Sequence, residues 1–374
     1  MSFPATRGGL GAKSSAGLSA LKVRLRRESR GQAAEVEPAS DLPREGCPKR
    51  MVFGPCGGVR DEGRCELAEH ACVFLDEPLV RWPDPPVQPR TPSVLLDRAE
   101  RGPVVLADLS VVPFDPSSVR RVVEVLAPVS DGLLVGEHAN RPDFPPTMFA
   151  AEVIGAGGRV WTTLACRDRN RVVLEQELAG LAAVGVDGVL CVTGDGRGAS
   201  VRPGVTQVFD LDGVRLAALA AGMGLPVAVP ESPEAPPVDL RPARVAEKQR
   251  AGAQVCVLNH VSSPARVAAF VAAAREAGAT LPFVAGVAVY TDEPSARVLQ
   301  RFPGLHLDGA VVERVLATAD PRVAGIAAAV AEARALLAIP GVVGVNLSGS
   351  ASSRGVDDGA AVKAEIAVQL RGTT

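Results

Sequence analysis

Aromatic side chains are scarce: one Tyr, two Trp and ten Phe stand among 374 residues. A core of stacked rings is therefore excluded, although apolar residues reach 47% of the chain. The interior must be built from Ala, Val and Leu, which suits parallel strands buried on both faces and covered by Ala-rich helices. An excess of one charge is also missing: the net charge is −2, which argues against a nucleic-acid partner. No apolar run approaches the roughly 18 residues that span a bilayer, so no membrane partner is expected. The N-terminus lacks the apolar stretch of an export signal, and a reducing cytoplasm is the expected compartment. A Gly-rich phosphate fingerprint is absent after the first strand-like run. Leu109-Ser110-Val111-Val112-Pro113 stands there instead, against a doubly wound sheet.

From about residue 94, short apolar runs alternate with Ala-rich amphipathic segments. The expected strands are Val104–Leu109, Gly132–Val135, Val160–Ala165, Gly188–Thr193, Pro226–Val229, Gln254–Leu258, Phe283–Tyr290 and Val343–Leu347. Helical patterns lie between them over Ser117–Leu126, Arg171–Val184, Leu211–Ala221, Pro242–Ala251, Pro264–Ala277 and Pro321–Ala338. Eight strands in this rhythm predict a (β/α)8 TIM barrel over 94–374. Residues 83–93 are proline-rich and read as a linker. Residues 1–42 read as a solvated tail, with a short basic docking helix over Ser19–Arg30 as the alternative.

Seven cysteines are present. Cys166, Cys191 and Cys256 sit in apolar runs and read as small buried hydrophobes. Cys47, Cys56, Cys65 and Cys72 are grouped within 43–82, a stretch too small to have much other core. Without an export signal, such a group reads as a metal module in preference to a disulfide framework. Four thiolates on loops hold either Zn²⁺ or a [4Fe–4S] cluster, and the spacing matches neither a zinc ribbon nor a ferredoxin run. Cys56 lies in Gly54-Pro55-Cys56-Gly57-Gly58, a turn of little bulk that lets backbone N–H groups approach sulfur.

In a (β/α)8 barrel, chemistry sits where the strands end. The expected exits carry Asp108 and Ser110, Glu137-His138-Ala139-Asn140, Cys166-Arg167-Asp168-Arg169-Asn170, Thr193-Gly194-Asp195-Gly196, Glu231, Asn259-His260, Tyr290, and Asn346 with Ser348 and Gly349. Polar residues thus converge on one rim, as a polar ligand requires. Structural roles compete at each position: a helix cap for Asp108, a turn residue for Asp195, a solvated helix lysine for Lys248, a mutual pair for Arg167 and Asp168, and a structural hydrogen bond for His138.

The stretch Cys47-Pro48-Lys49-Arg50-Met51-Val52-Phe53-Gly54-Pro55-Cys56-Gly57-Gly58 resembles the methylenetetrahydrofolate reductase C-terminal-type module. That resemblance implies iron–sulfur chemistry and electron input. Thr163–Arg171, Gly188–Asp195, Val208–Asp212 and Lys248–Ala253 resemble, in order, segments of the methylenetetrahydrofolate reductase barrel. The resemblance implies reduction of 5,10-methylenetetrahydrofolate to 5-methyltetrahydrofolate, in one-carbon metabolism and methionine biosynthesis. Asp108 then stands at the position of the family's acid, one methylene shorter. Asp195 stands at the aspartate near flavin and pterin, and Asn259 at the amide that holds the pterin. Tyr290 joins them on the substrate side. Thr163, Arg167, Thr193, Gly194, Asp195 and Lys248 fall on the cofactor side, for FAD or FMN with NAD(P)H as donor. Thr163, Thr193, Arg241 and Arg244 replace polar flavin contacts, so direct hydride transfer without flavin is the alternative. An electron-transfer or methyltransferase protein is the implied partner. Two other readings compete: a folate-binding barrel that feeds a methyltransferase without redox chemistry, and a reductase of another substrate.

Overall fold

The computed structural model describes residues 42–77, 79–83, 91–137, 142–197, 204–302 and 304–372, all within one compact unit. The basic tail, most of the proline-rich linker, and His138 and Asn140 lie outside these residues.

Eight strands form the centre: β1 (Val104–Asp108), β2 (Gly132–Val135), β3 (Val160–Ala165), β4 (Gly188–Val192), β5 (Val227–Glu231), β6 (Val255–Leu258), β7 (Phe283–Tyr290) and β8 (Val342–Ala351). They are parallel, pair in chain order, and close into a barrel through β1 and β8. The helices are α1 (Val94–Ala99), α2 (Pro116–Leu126), α3 (Pro146–Gly155), α4 (Arg171–Val184), α5 (Gly213–Gly222), α6 (Arg241–Arg250), α7 (Pro264–Glu276), α8 (Glu293–Gln300), α9 (Gly309–Leu316), α10 (Pro321–Leu337) and α11 (Val356–Arg371). Among the described residues, no helix is long and apolar enough to cross a membrane.

Local chemistry sets the helix starts. Asp115, Asn170, Asp212 and Asp320 cap α2, α4, α5 and α10 by accepting backbone N–H groups. Proline begins α2, α7 and α10, where its missing N–H has no intrahelical partner to lose.

Alternation along each strand separates two apolar layers. Val104, Leu106, Leu134, Trp161, Leu190, Ala228, Val255 and Val284 fill the barrel. Val105, Leu133, Val160, Val189, Val227, Cys256, Ala285 and Val345 face the helices. Aliphatic side chains dominate both layers, as the shortage of aromatics requires.

Helix α1 closes the lower end of the barrel: Leu95 and Leu96 pack on the inner layer. Asp187, just before β4, anchors it. Its carboxylate accepts from Val94 N at 2.7 Å, Leu95 N at 3.0 Å and Ser93 Oγ at 3.2 Å, and from Trp161 Nε1 at 3.0 Å. Asp187→Ala leaves these donors without a partner and is expected to cost roughly 3 kcal/mol. Urea unfolding measures the loss, and Trp161 emission shifted to the red reports an opened floor.

Candidate functional site

The cysteine module carries little regular structure, and short turns shape it. Arg44 N donates to Met51 O at 2.8 Å, Cys65 N to His70 O at 3.0 Å, and Cys72 N to Gly63 O at 2.8 Å. The four thiols are free and half-buried, and they line one cavity of about 20 Å³ with Lys49, Glu66 and His70. Such a cavity exceeds the roughly 10–15 Å³ that one water needs. Burial pushes the Cys47 and Cys72 thiols up. Backbone N–H groups of Met51 and Lys49 on Cys47, and of Phe74 on Cys72, act the other way and favour thiolate. Among the described residues, no three His, Cys, Asp or Glu side chains gather closely enough for a single metal ion. The thiols surround a space instead of meeting at a point. Four thiolates around such a space are a donor set that either a Zn²⁺ ion or an iron–sulfur cluster uses.

The module roofs one side of the barrel mouth. Val52 and Phe53 pack with Val214 of α5 and with Ala251, and Phe53 meets Trp82 at 4.6 Å between ring centroids. Val52 N donates to Asp212 Oδ2 at 2.9 Å, Arg241 Nη2 to Cys56 O at 2.9 Å, and Arg244 Nη1 to Phe53 O at 3.0 Å. Two approaches need glycine. A Cβ on Gly196 would lie 1.8 Å from Leu67 Cδ2, and one on Gly304 would lie 2.6 Å from Gly57 O.

Lys49 joins module to barrel. Its buried ammonium pairs with Glu66 and donates to Gly194 O at 2.8 Å, while Glu66 Oε1 accepts from Gly196 N at 2.6 Å. Burial works against the Lys49 charge, but Cys56, Glu66 and Asp195 outweigh it and raise its pKa. Lys49→Met would strand the buried Glu66 carboxylate. It is expected to cost about 3 kcal/mol in a denaturant melt.

The other expected site residues divide between mouth and wall. Asp195 lies under the module, where burial raises its pKa, reinforced by Glu66 and opposed by Lys49, Arg167 and Arg60. Arg167 is buried; it donates to Asp168 at 3.0 Å and to Asp195 O at 3.2 Å, and Arg197 also pairs with Asp168 at 2.7 Å. Glu137 pairs with Arg169 at 2.7 Å. Asn259 Nδ2 donates to Ser232 Oγ at 2.8 Å. Thr163 alternates with Trp161 and so faces into the barrel. Thr193 Oγ1 accepts from Gly213 N at 2.9 Å and contacts Met51 Sδ. Tyr290 packs beneath α8 and α9, and burial, with Glu332 and Asp308, pushes its phenol up to about 12.

Asp108 is held from behind. Oδ1 accepts from Asn346 Nδ2 at 2.8 Å and Oδ2 from Gly349 N at 3.2 Å. Buried Lys363 of α11 donates to its carbonyl at 2.6 Å. Burial lowers the Lys363 pKa to about 8, against the pull of Asp108. Sequence reasoning assigned no role to Lys363, although a lysine inside Ala360-Ala361-Val362-Lys363-Ala364 was a signal.

Lys248 is neither solvated nor open to a ligand. It is buried in the wall, pairing with Glu231 Oε2 at 2.7 Å and donating to Pro230 O. Arg241 and Arg244 share the same carboxylate at 3.2 Å and 3.5 Å. With Arg167, Thr193, Gly194 and Lys248 all engaged within the protein, these positions as placed do not fit a flavin.

Residues 36–77 match the family described as methylene-tetrahydrofolate reductase C terminal. No curated protein matches the chain. Among solved structures, a Clostridium thermocellum protein is similar at TM-score 0.54 and 9% identity, over 74% of this chain and 99% of that one. It is described as uncharacterized and binding two copies of 5-methyl-5,6,7,8-tetrahydrofolic acid. A 2,3-dimethylmalate lyase of the PEP mutase/isocitrate lyase superfamily gives TM-score 0.42 at 14% identity, over 68% and 79% of the two chains. At these identities the likeness is one of fold.

Proposed function

We propose, from the premise that the chain is methylenetetrahydrofolate reductase-like, that it reduces 5,10-methylenetetrahydrofolate to 5-methyltetrahydrofolate with NAD(P)H as donor. One observation carries this reading. The cysteine module of that family sits on the barrel mouth so that the four-thiol cavity and Asp195 share one buried lysine, Lys49. Electron input and a carbon acid–base site are thereby neighbours.

The chemistry needs a proton to open the five-membered ring to an iminium, and then a hydride at the exocyclic carbon. Asp195 is suited to hold that proton, because burial raises its pKa. Asp108 and Asn259 are suited to orient the substrate, since both are fixed by hydrogen bonds. The module excludes water from the strand-four side. Cys47, Cys56, Cys65 and Cys72 would hold a [4Fe–4S] cluster, which supplies single electrons when bound.

The test is anaerobic purification with iron, sulfide, zinc and flavin analysis, followed by NAD(P)H oxidation with methylenetetrahydrofolate. Turnover is expected to fall as pH rises through the raised Asp195 pKa, because the protonated form is the active one. Asp195→Asn is expected to lose at least about 100-fold in kcat. Absence of turnover with NADH, NADPH and reduced viologen would sink the reductase reading. The folate-binding likeness of the Clostridium thermocellum protein favours a second reading, a tetrahydrofolate carrier without redox chemistry. Tight binding of 5-methyltetrahydrofolate without turnover would select it.

A further inference from the structure

His260 stands two residues past the end of β6 and is 5% exposed. Both of its ring nitrogens face acceptors. Nδ1 lies 2.6 Å from His306 O, and Nε2 lies 2.7 Å from Glu332 Oε1 of α10. A backbone carbonyl only accepts, and so does an ionised carboxylate. A ring between the two satisfies both only as an imidazolium, which donates from each nitrogen. His306 N donates back to His260 O at 3.2 Å, so the ring makes the shorter of the two ties between these residues.

Those ties hold one wall of a cleft. Residues 304–306 lie between α8 and α9 and line a space of about 540 Å³. The opposite wall is the cysteine module, with Arg60, Cys65 and Glu69. Cys65 also lines the four-thiol cavity, so the two spaces share that thiol. Gly304, at φ 72°, makes the close approach to Gly57 O by which the two walls meet. Among the described residues, the two bonds to His260 are the hydrogen bonds that hold residues 304–306 to the barrel. A third, Leu305 N to Phe302 O at 3.2 Å, stays within the loop.

We infer that His260 is a pH-sensitive latch on this cleft: protonated, it ties residues 304–306 to Glu332 on α10, and neutral, it releases them. A neutral imidazole carries one N–H. A hydrogen bond to a carboxylate is stronger than one to a neutral carbonyl, so that proton stays on Nε2 against Glu332. Nδ1 then turns a lone pair toward His306 O. Burial works against the imidazolium, but Glu332, His306 O and Glu234 outweigh it and hold its pKa above the ordinary value. The tie is therefore complete below the unfolded value of roughly 6.5, and it is lost as pH rises through the higher folded value. The other charged groups around the ring have partners of their own. Glu234, past β5, accepts from Ser262 N and Ser262 Oγ, both at 2.8 Å, and pairs with Arg266 at 3.0 Å. Tyr290 of β7 lies near Glu332, and its phenol, pushed up to about 12, stays neutral over this range. Asp308 and Arg314, at α9, act on that phenol. His306 brings the one further imidazole, on the cleft side. The latch does not depend on the folate reading.

The test is hydrogen exchange of the full chain, read by mass spectrometry over residues 304–309 and corrected for the intrinsic rate, beside a proton NMR titration of His260. Protection of the segment is expected to fall about tenfold as His260 loses its proton, the loss of one charge-assisted hydrogen bond. Glu332→Gln is expected to move both midpoints down together by about one pH unit. His260→Gln has an amide that donates from one atom and accepts at the other, so it is expected to show the lower protection at every pH. His306→Asn keeps the backbone carbonyl and is expected to keep the transition. Protection that stays flat while His260 titrates overturns the latch. So does a midpoint that Glu332→Gln leaves in place, a transition that His306→Asn abolishes, or a His260 ring already neutral at about pH 6. If His260→Gln does not fold, the Glu332→Gln midpoint decides: a downward shift supports the latch and an unshifted midpoint overturns it.

Discussion

Glu231→Gln is expected to lower the unfolding midpoint by roughly 5 °C, from a loss of about 3–5 kcal/mol. Glu231 is 2% exposed and, among the described residues, is the one carboxylate within salt-bridge reach of Arg241, Arg244 and Lys248, all themselves buried. Burial alone would raise its pKa, but Lys248, Arg244 and Arg241 together hold it well below the usual carboxylate range. Removing its charge strands three buried cations at once, which costs more than the net worth of the ion pairs. The effect travels outward, because Arg241 also holds Cys56 O and Arg244 holds Phe53 O. Faster proteolysis within residues 42–77 should accompany the lowered midpoint. The pH dependence has a definite sign. A depressed folded pKa contributes stability above the unfolded carboxylate value of roughly 4.3, and that stability is lost as pH falls below it. The acid limb of the stability curve should therefore be shallower in Glu231→Gln than in wild type. A midpoint within about 2 °C of wild type would show that the three cations find other partners.

Cys56→Ser is expected to have the second large effect, and it falls on the module. On the proposed iron–sulfur cluster, iron and sulfide per chain should drop below roughly a quarter of the wild-type value, since a small module held by a metal draws its folding free energy from it. Its own buried core is slight: Met51, Val52, Phe53, Val59 and Phe74. Residues 42–77 should become sensitive to protease, while the far-ultraviolet dichroism of the barrel changes little. Structural metals contribute on the order of 10 kcal/mol in small modules, so partial retention of a native module is not expected. Wild-type metal content in Cys56→Ser would remove Cys56 from the ligand set.

The barrel was legible because its signals are local. Runs such as Val160–Ala165 are apolar throughout, as strands buried on both faces must be, and Gly132–Val135, Val160–Ala165 and Phe283–Tyr290 form where expected. Helices α4 and α10 begin where an Asn or Asp cap precedes an Ala-rich stretch. Helices α1, α3, α8, α9 and α11 lie outside the helical patterns named from the sequence. Pro145-Pro146 hides the start of α3, and Gly355, at φ 122°, hides that of α11. Helices α8 and α9 are each 8 residues long, too short for a clear period. Their small core with Tyr290 forms only when β7 and α10 bring them together.

The sequence by itself determined the class of fold, the order of its strands, the grouping of four thiols and the rim on which polar residues gather. Each depends on neighbours along the chain: alternation, capping, a turn rich in glycine. Only the tertiary structure decided which face the cysteine module covers, why Lys248 belongs to the wall, and that Asp108 is held by Asn346. Those outcomes are pairings across the chain, Lys49 with Gly194, Arg241 with Cys56 and Asp108 with Asn346. A charge or an amide carries no period that names its partner. Its partner is fixed by burial, which makes an unpaired polar group costly and so selects the arrangement in which most are satisfied. Among the described residues, the one amide oxygen left over inside the barrel, on Asn346, is legible only by that accounting.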